Sequence, residues 1–429
     1  MRALRIAASV VVLLAAACSS PAPPGPPAVA VHPVDPSFVH GTDRGDTDRL
    51  AATVVTDVQA YWSAQFPAVF DKSWHDLDGG FFSVDTNGKG APPPCSASPQ
   101  DVEGNAYYCA TVDTIAWDRA ALLPVLREHY GDASVAVVLA HEMGHAVQQR
   151  SGVDIGGSEH PVRIEAMADC YSGSFVRWVT DGHAPHLHVD AAQLDGALRA
   201  LIGFRDPVGT ASTSSDAHGT AFDRVSAFQD GFQRGPRSCA AVTEEDLTAR
   251  TPHESAEALE DILRADAPNA FFADYVTRRG GHWTPPAVRA SDDPAASCTA
   301  NAHPVAFCAR PRTVVADRPG LDGVRHDLGD HAAATLLASR FALAALDELG
   351  RPTTAADAER RTACLTGAYT GWLGRDEARL SPGDLDEAVD VVLDSDDVSR
   401  DARGRSDLTG FDRITAFRTG AVGGPDACG

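Results

Sequence analysis

Two stretches of this chain carry the same landmarks in the same order, so the fold has to accommodate one scaffold twice. Phe222-Asp-Arg-Val-Ser-Ala-Phe228, followed by Gly235-Pro236 and Cys239, returns as Phe411-Asp-Arg-Ile-Thr-Ala-Phe417, followed by Gly424-Pro425 and Cys428. Tyr107-Tyr108-Cys109-Ala110 through Trp117-Asp118 matches Ala306-Phe307-Cys308-Ala309 through Ala316-Asp317. Cys170, Gly173 and Trp178 keep the intervals of Cys364, Gly367 and Trp372. Chance similarity does not put so many landmarks in one order. The first copy is placed at residues 34–242, with its landmarks between Val34 and Cys239, and the second at 243–429. The polar stretch Thr243 to Arg250 forms the junction, and two domains are also what a chain of 429 residues leads one to expect.

Apolar periodicity then fills in each copy. A helix opens it (Asp48 to Phe66; Glu254 to Tyr275), and a region of loops and short strands follows around Cys95/Cys109 or Cys298/Cys308. Next comes a long apolar helix, Ser134 to Arg150 or Asp330 to Leu349, stopped by Gly152 or Gly350. Further helices are expected over Pro161 to Thr180 and Asp190 to Leu201, with counterparts after Ala355 and Ser381. The class is α+β, mainly helical.

Residues 1–17 read as a signal peptide: Arg2 and Arg5 provide the charge, and Ile6 to Ala17 an apolar core too short to span a bilayer comfortably. Ala15-Ala16-Ala17-Cys18 resembles a bacterial lipobox, which implies acylation of Cys18 and a lipid anchor on the extracytoplasmic face of the cell membrane. The alternative is a signal peptide cut slightly later. Residues 18–33, with Pro21 to Pro27, form a stiff tether. Outside Cys18 eight cysteines remain, an even number that suggests disulfides in an exported chain. Spacing alone does not fix their connectivity. The repeat suggests Cys95–Cys109 and Cys170–Cys239, echoed by Cys298 with Cys308 and Cys364 with Cys428, against reduced, buried thiols as the alternative. Lys+Arg 36 against Asp+Glu 59 gives a net charge of −23, which argues against a nucleic-acid-binding surface and identifies no substrate. Oligomeric state is not legible.

Inside the first long helix stands His141-Glu142-Met143-Gly144-His145. Positions i and i+4 share one helix face, so both imidazoles can grip one cation while Glu142 reaches a water beside it. A catalytic zinc (Zn2+) needs a third protein ligand and keeps its fourth position for water. Glu165 and Asp169, themselves i and i+4 on the next helix, are the candidates: Glu165 as ligand, Asp169 as acceptor of a ligating histidine's second N–H. A chance HExxH in an amphipathic helix is the bland alternative, and the downstream Glu165 and Asp169 weigh against it.

This HExxH with a downstream ExxxD resembles the gluzincin metallopeptidases. More narrowly, the first copy is similar to the bacterial putative neutral zinc metallopeptidase family. Its resembling residues are Tyr108-Cys109, Trp117-Asp118, Ala140 to His145 with Gln148, Glu165 to Cys170, His218-Gly-Thr220, Asp223-Arg224 and Gly231. The resemblance implies a zincin-like fold and hydrolysis of peptide bonds, with peptide or protein as substrate. Glu142 would serve as general base and His218 as oxyanion stabiliser. A loop-ordering hydrogen bond is the other role open to His218. The segment with His183, His186 and His188 is not a family feature and reads as a solvated loop rather than a second metal site.

Alignment within the chain puts Ser339, Arg340 and Leu343 where His141, Glu142 and His145 stand. Glu359 still matches Glu165, but Ala363 replaces Asp169 and Asp407 replaces His218. The second copy is therefore expected to keep the framework without the zinc site. It is free to dock on the first, cover its cleft or bind a substrate. Against the membrane-anchored peptidase stands one competing reading, a lipoprotein that contains zinc and binds without catalysing.

Overall fold

The computed structural model describes residues 29, 32–155, 160–207, 210, 217–243, 247, 257–292, 304–375, 380–381 and 383–429. The signal peptide, Cys18, most of the proline-rich tether, most of the Thr243 to Arg250 junction and Cys298 lie outside the described residues.

The chain is α+β and mainly helical. Its first half runs α1 (Asp46–Phe70), β1 (Gly80–Val84), β2 (Ala106–Cys109), β3 (Thr114–Asp118), α2 (Leu122–Tyr130), α3 (Asp132–Ser151), α4 (Pro161–Thr180), α5 (Ala191–Gly203), α6 (Ala221–Arg234) and α7 (Pro236–Ala240). The second half runs α8 (Leu259–Arg264), α9 (Asp266–Arg278), β4 (Ala287–Ser291), β5 (Val305–Cys308), β6 (Thr313–Asp317), α10 (Arg318–Asp327), α11 (Asp330–Glu348), α12 (Ala356–Leu373), α13 (Asp384–Asp394) and α14 (Gly410–Gly423).

Each half holds a three-stranded sheet of one topology. The central β3 pairs in parallel with β1 (Gly80 opposite Thr114) and antiparallel with β2 (Ala106 opposite Trp117). In the second sheet β6 takes the centre, parallel to β4 and antiparallel to β5. Asp48, buried on α1, ties helix to sheet by accepting the Ser83 hydroxyl at 2.6 Å. Around this lies one continuous apolar core reaching from α1 to α14, with Trp62, Trp117, Phe175, Phe341 and Phe417 among its largest buried side chains.

Close helix packing explains why certain glycines recur. A Cβ at Gly173 on α4 would stand 2.0 Å from the Phe228 carbonyl oxygen of α6, and one at Gly367 on α12 would stand 1.8 Å from that of Phe417 on α14. Only glycine lets the two backbones approach so closely. Disulfides pin the segments that follow: Cys170 of α4 joins Cys239 of α7, just past α6, and Cys364 of α12 joins Cys428, just past α14. Cys95 joins Cys109 beside the first sheet, and Cys308 is disulfide-bonded in the second half. Thr220 and Thr409 repeat one N-cap, each hydroxyl accepting the amide three residues on.

One expectation differs. The helix foreseen over Glu254 to Tyr275 is two helices over its described part, α8 and α9, because Ala265 turns left-handed at φ 55° between them. Pro268, which has no amide to continue a helical ladder, falls in the first turn of α9 and is the residue that marks the break, although the apolar spacing runs on past it.

Candidate metal centre

Helix α3 brings its own apolar run, Val135 to Ala140, into the core and so carries His141 and Glu142 inward with it; they are 6% and 8% exposed. Its crossing with α4 is tight at Gly144, where a Cβ would stand 2.9 Å from the Cα of Ala168. That contact draws Glu165 and Asp169 of α4 against the two histidines. His141 Nε2 lies 3.1 Å from Glu165 Oε2, and His145 Nε2 lies 3.5 Å from Glu165 Oε1. One donor atom from each of His141, His145 and Glu165 falls within 4.8 Å of the others.

The opposite ring nitrogens are held. His141 Nδ1 meets Asp169 Oδ1 at 2.6 Å, and His145 Nδ1 meets Gln148 Oε1 at 2.9 Å. An acceptor oxygen at each Nδ1 selects the Nδ1–H tautomer and leaves each Nε2 lone pair for the centre. Both acceptors are anchored in turn. Gln148 Nε2 donates to the Ile164 carbonyl at 2.6 Å. Arg224 on α6 grips Asp169 with Nε and Nη2, at 2.8 and 2.9 Å, and donates Nη1 to the Phe204 carbonyl at 2.7 Å. Sequence reasoning named Gln148 and Arg224 only as resembling residues. Gln148 follows His145 by three positions, a same-face spacing that could have signalled its role; Arg224 is 55 residues from Asp169, beyond any local pattern.

Electrostatics fit a cation. Burial alone would pull the His141 pKa down, but Asp169 and Glu165 outweigh it and raise it to about 10. Burial pushes the Glu165 carboxyl up, yet His145 and His141 hold it well below the usual carboxylate range. Glu165 Oε2 is buried without a hydrogen-bond partner. A buried carboxylate facing two imidazole Nε2 atoms is a donor set suited to zinc.

Glu142 is raised above its ordinary value, chiefly by burial. The Tyr108 backbone N–H donates to it. Tyr108 sits on β2, and its amide points away from β3 because the hydrogen-bonded pairs of an antiparallel ladder alternate. Its hydroxyl donates to Asp113 at 2.7 Å, and Asp113 pairs with Arg150 at the end of α3 at 2.7 Å. Sheet and helix are thereby locked across the site. His218 stands at the rim, its side chain half exposed, close enough for its charge to act on Glu165. Asp206 fixes its loop, accepting the His218 and Gly219 amides at 2.8 and 2.9 Å.

Among the described residues the other histidines form no such group. Asp57, fully buried, takes the His186 ring at 2.6 Å and the Leu187 amide at 2.9 Å, so His186 anchors a loop. In the second half Ser339, Arg340 and Leu343 are buried in the corresponding helix. Arg340 donates to the Asp397 and Val398 carbonyls at 2.9 and 3.2 Å, while Glu359 accepts the Asp407 amide at 2.9 Å.

Asp330, Asp384 and Glu387 form a second cluster of donor atoms, and here all three are carboxylates. Burial foremost, with the neighbouring carboxylates, raises Asp384 and Glu387 to about 7. For an acid raised in the folded state, stability is fully present below the unfolded pKa of about 4 and is lost as pH rises through about 7. Asp384→Asn with Glu387→Gln keeps an acceptor for the Ser381 and His331 amides and removes both charges. The double variant is expected to melt higher than wild type at about pH 8 and to flatten the decline between about pH 5 and 8. Parallel melting curves for the two proteins across that range would refute it.

Set against protein-family models, curated proteins and solved structures, the chain matches none. Among the described residues no helix is long and apolar enough to cross a membrane.

Proposed function

We propose that the chain is an exported zinc metallopeptidase built on a duplicated zincin-like scaffold, whose first copy hydrolyses peptide bonds and whose second copy has lost the site. The observation that carries this reading is the convergence of His141 Nε2, His145 Nε2 and Glu165 within 4.8 Å, with each Nδ1 already committed to an anchored acceptor. Export and a lipid anchor at Cys18 belong to the same reading and rest on the sequence of residues 1–18.

Bound by these three residues, zinc would supply a Lewis acid for the scissile carbonyl and lower the pKa of a water. Glu142 would take a proton from the attacking water at its carboxylate and pass it to the leaving amine. Burial favours the proton-accepting role by raising Glu142, and the Tyr108 amide keeps its carboxylate aimed. An extended peptide laid along β2 would run past the same group, which is why a peptide substrate suits the geometry. His218, its side chain half exposed, can donate to the carbonyl oxygen as charge builds there.

Purified protein is expected to contain about one zinc per chain and to cleave members of a broad peptide library, with chelation stopping cleavage and added zinc restoring it. Metal-free protein after purification in zinc-supplemented buffer would overturn the proposal.

A further inference from the structure

Two reciprocal helix caps join the halves. Asp386 on α13 accepts the Ala221 amide at 2.8 Å and also that of Phe222, the first two residues of α6. Asp195 on α5 accepts the amides of Gly410 and Phe411, the first two residues of α14, at 2.6 and 2.7 Å. The pattern is that of an isologous contact, in which each partner offers the same group to the same place on the other. Around the caps, Arg205 pairs with Asp390 at 2.9 Å, Arg418 with Asp230 at 2.6 Å, and the Phe232 and Phe411 rings pack 4.7 Å apart.

The caps are alike in geometry and unlike in consequence. One turn into α6 lies Arg224, which holds Asp169, which holds His141. One turn into α14 lies Arg413, whose guanidinium ends on the carbonyls of Val392, Leu393 and Leu408. We propose that the second half is an internal brace for the metal centre, with Asp386 the positioning residue that seats α6 so that Arg224 and Asp169 keep His141 in its ligating orientation. This rests on the reading of His141, His145 and Glu165 as zinc ligands.

The first amides of a helix have no partner within it, and a carboxylate placed on them fixes where the helix begins. Asp386 is 5% exposed, so water does not readily replace it. Every later link is also buried: Arg224 is 4% exposed, Asp169 fully buried and His141 6% exposed. A displacement of the first turn of α6 is therefore passed to the imidazole rather than absorbed by solvent. It also accounts for a second half that keeps its framework with Ser339, Arg340 and Leu343 in place of His141, Glu142 and His145, since the carboxylate of α13 acts across the interface.

The test measures zinc affinity of the full-length chain by competition with a chromogenic chelator, and the visible spectrum of the cobalt-substituted protein. Asp386→Ala is expected to weaken zinc binding about ten-fold, as for a lost outer partner of a ligand, and to alter the cobalt spectrum. Asp386→Asn, whose amide oxygen still accepts an N–H, should recover most of the affinity. Asp195→Ala removes the mirror-image cap and should lower the melting temperature while keeping wild-type zinc affinity and spectrum. If Asp386→Ala does not fold, Ala221→Pro removes the bond from the donor side with a residue suited to the first helical position, and the same loss is expected. Wild-type affinity in the folded variants, or an equal loss in Asp195→Ala, overturns the brace. A wild-type chain that takes up no zinc overturns the metal centre itself, and the brace with it.

Discussion

Glu142→Gln is expected to leave zinc in place and to lower peptide hydrolysis by on the order of 10³-fold, the usual contribution of a positioned general base. The substitution is nearly isosteric, and the Gln oxygen can still accept the Tyr108 amide, so neither the helix nor its contact with β2 should shift. Only the capacity to take a proton is removed. None of the nitrogen and oxygen atoms that converge belongs to Glu142, so metal content should equal that of wild type. The two readouts separate the competing functions. Zinc retained with turnover lost supports the peptidase. Zinc retained with no Glu142-dependent turnover on any peptide favours a binding lipoprotein, and turnover unaffected by the substitution removes Glu142 from the chemistry.

Asp169→Ala is expected to cost about 3–5 kcal/mol of stability, because it leaves a buried guanidinium without its anion. The Arg224 side chain is 5% exposed, and in the variant only the Phe204 carbonyl would remain among its acceptors given above. The same change frees His141 Nδ1, and zinc affinity should fall by about 10–100-fold. Stability and affinity can be uncoupled: adding Arg224→Met removes the stranded charge and should recover much of the stability while the affinity stays low. A denaturation midpoint and zinc affinity both equal to wild type in Asp169→Ala would show that the Asp169 contacts carry neither effect.

Helices and disulfides were the legible part of this chain, because both leave local marks. The apolar run before His141 and the glycine after Ser151 bound α3 to within two residues, and α4 begins and ends where Pro161 and Thr180 suggest. The pairs Cys95–Cys109, Cys170–Cys239 and Cys364–Cys428 are those the repeat suggests. Candidate ligands were legible for the same reason, since i and i+4 spacing on α3 and α4 states which side chains share a face. What holds them was not. Arg224 reaches Asp169 only because glycines let α4 and α6 pack backbone to backbone, and the sheet order depends on which edge each short strand finds. Arg224 and Arg413 occupy equal places in the two repeated segments, yet one grips a carboxylate and the other three carbonyls. The difference follows from Asp169 against Ala363 on a neighbouring helix, which a comparison of the two segments alone does not reveal.

The bond between Ala221 and Asp386 spans 165 residues, and this sets an order of events on the ribosome. Translation delivers His141, His145, Glu165 and Arg224 first. At about 5–20 residues per second, Asp386 follows on the order of 10 s later. Through that interval the first half has its ligands but not the carboxylate that caps α6, so a nascent chain stalled before α13 presents the donor set without its final support.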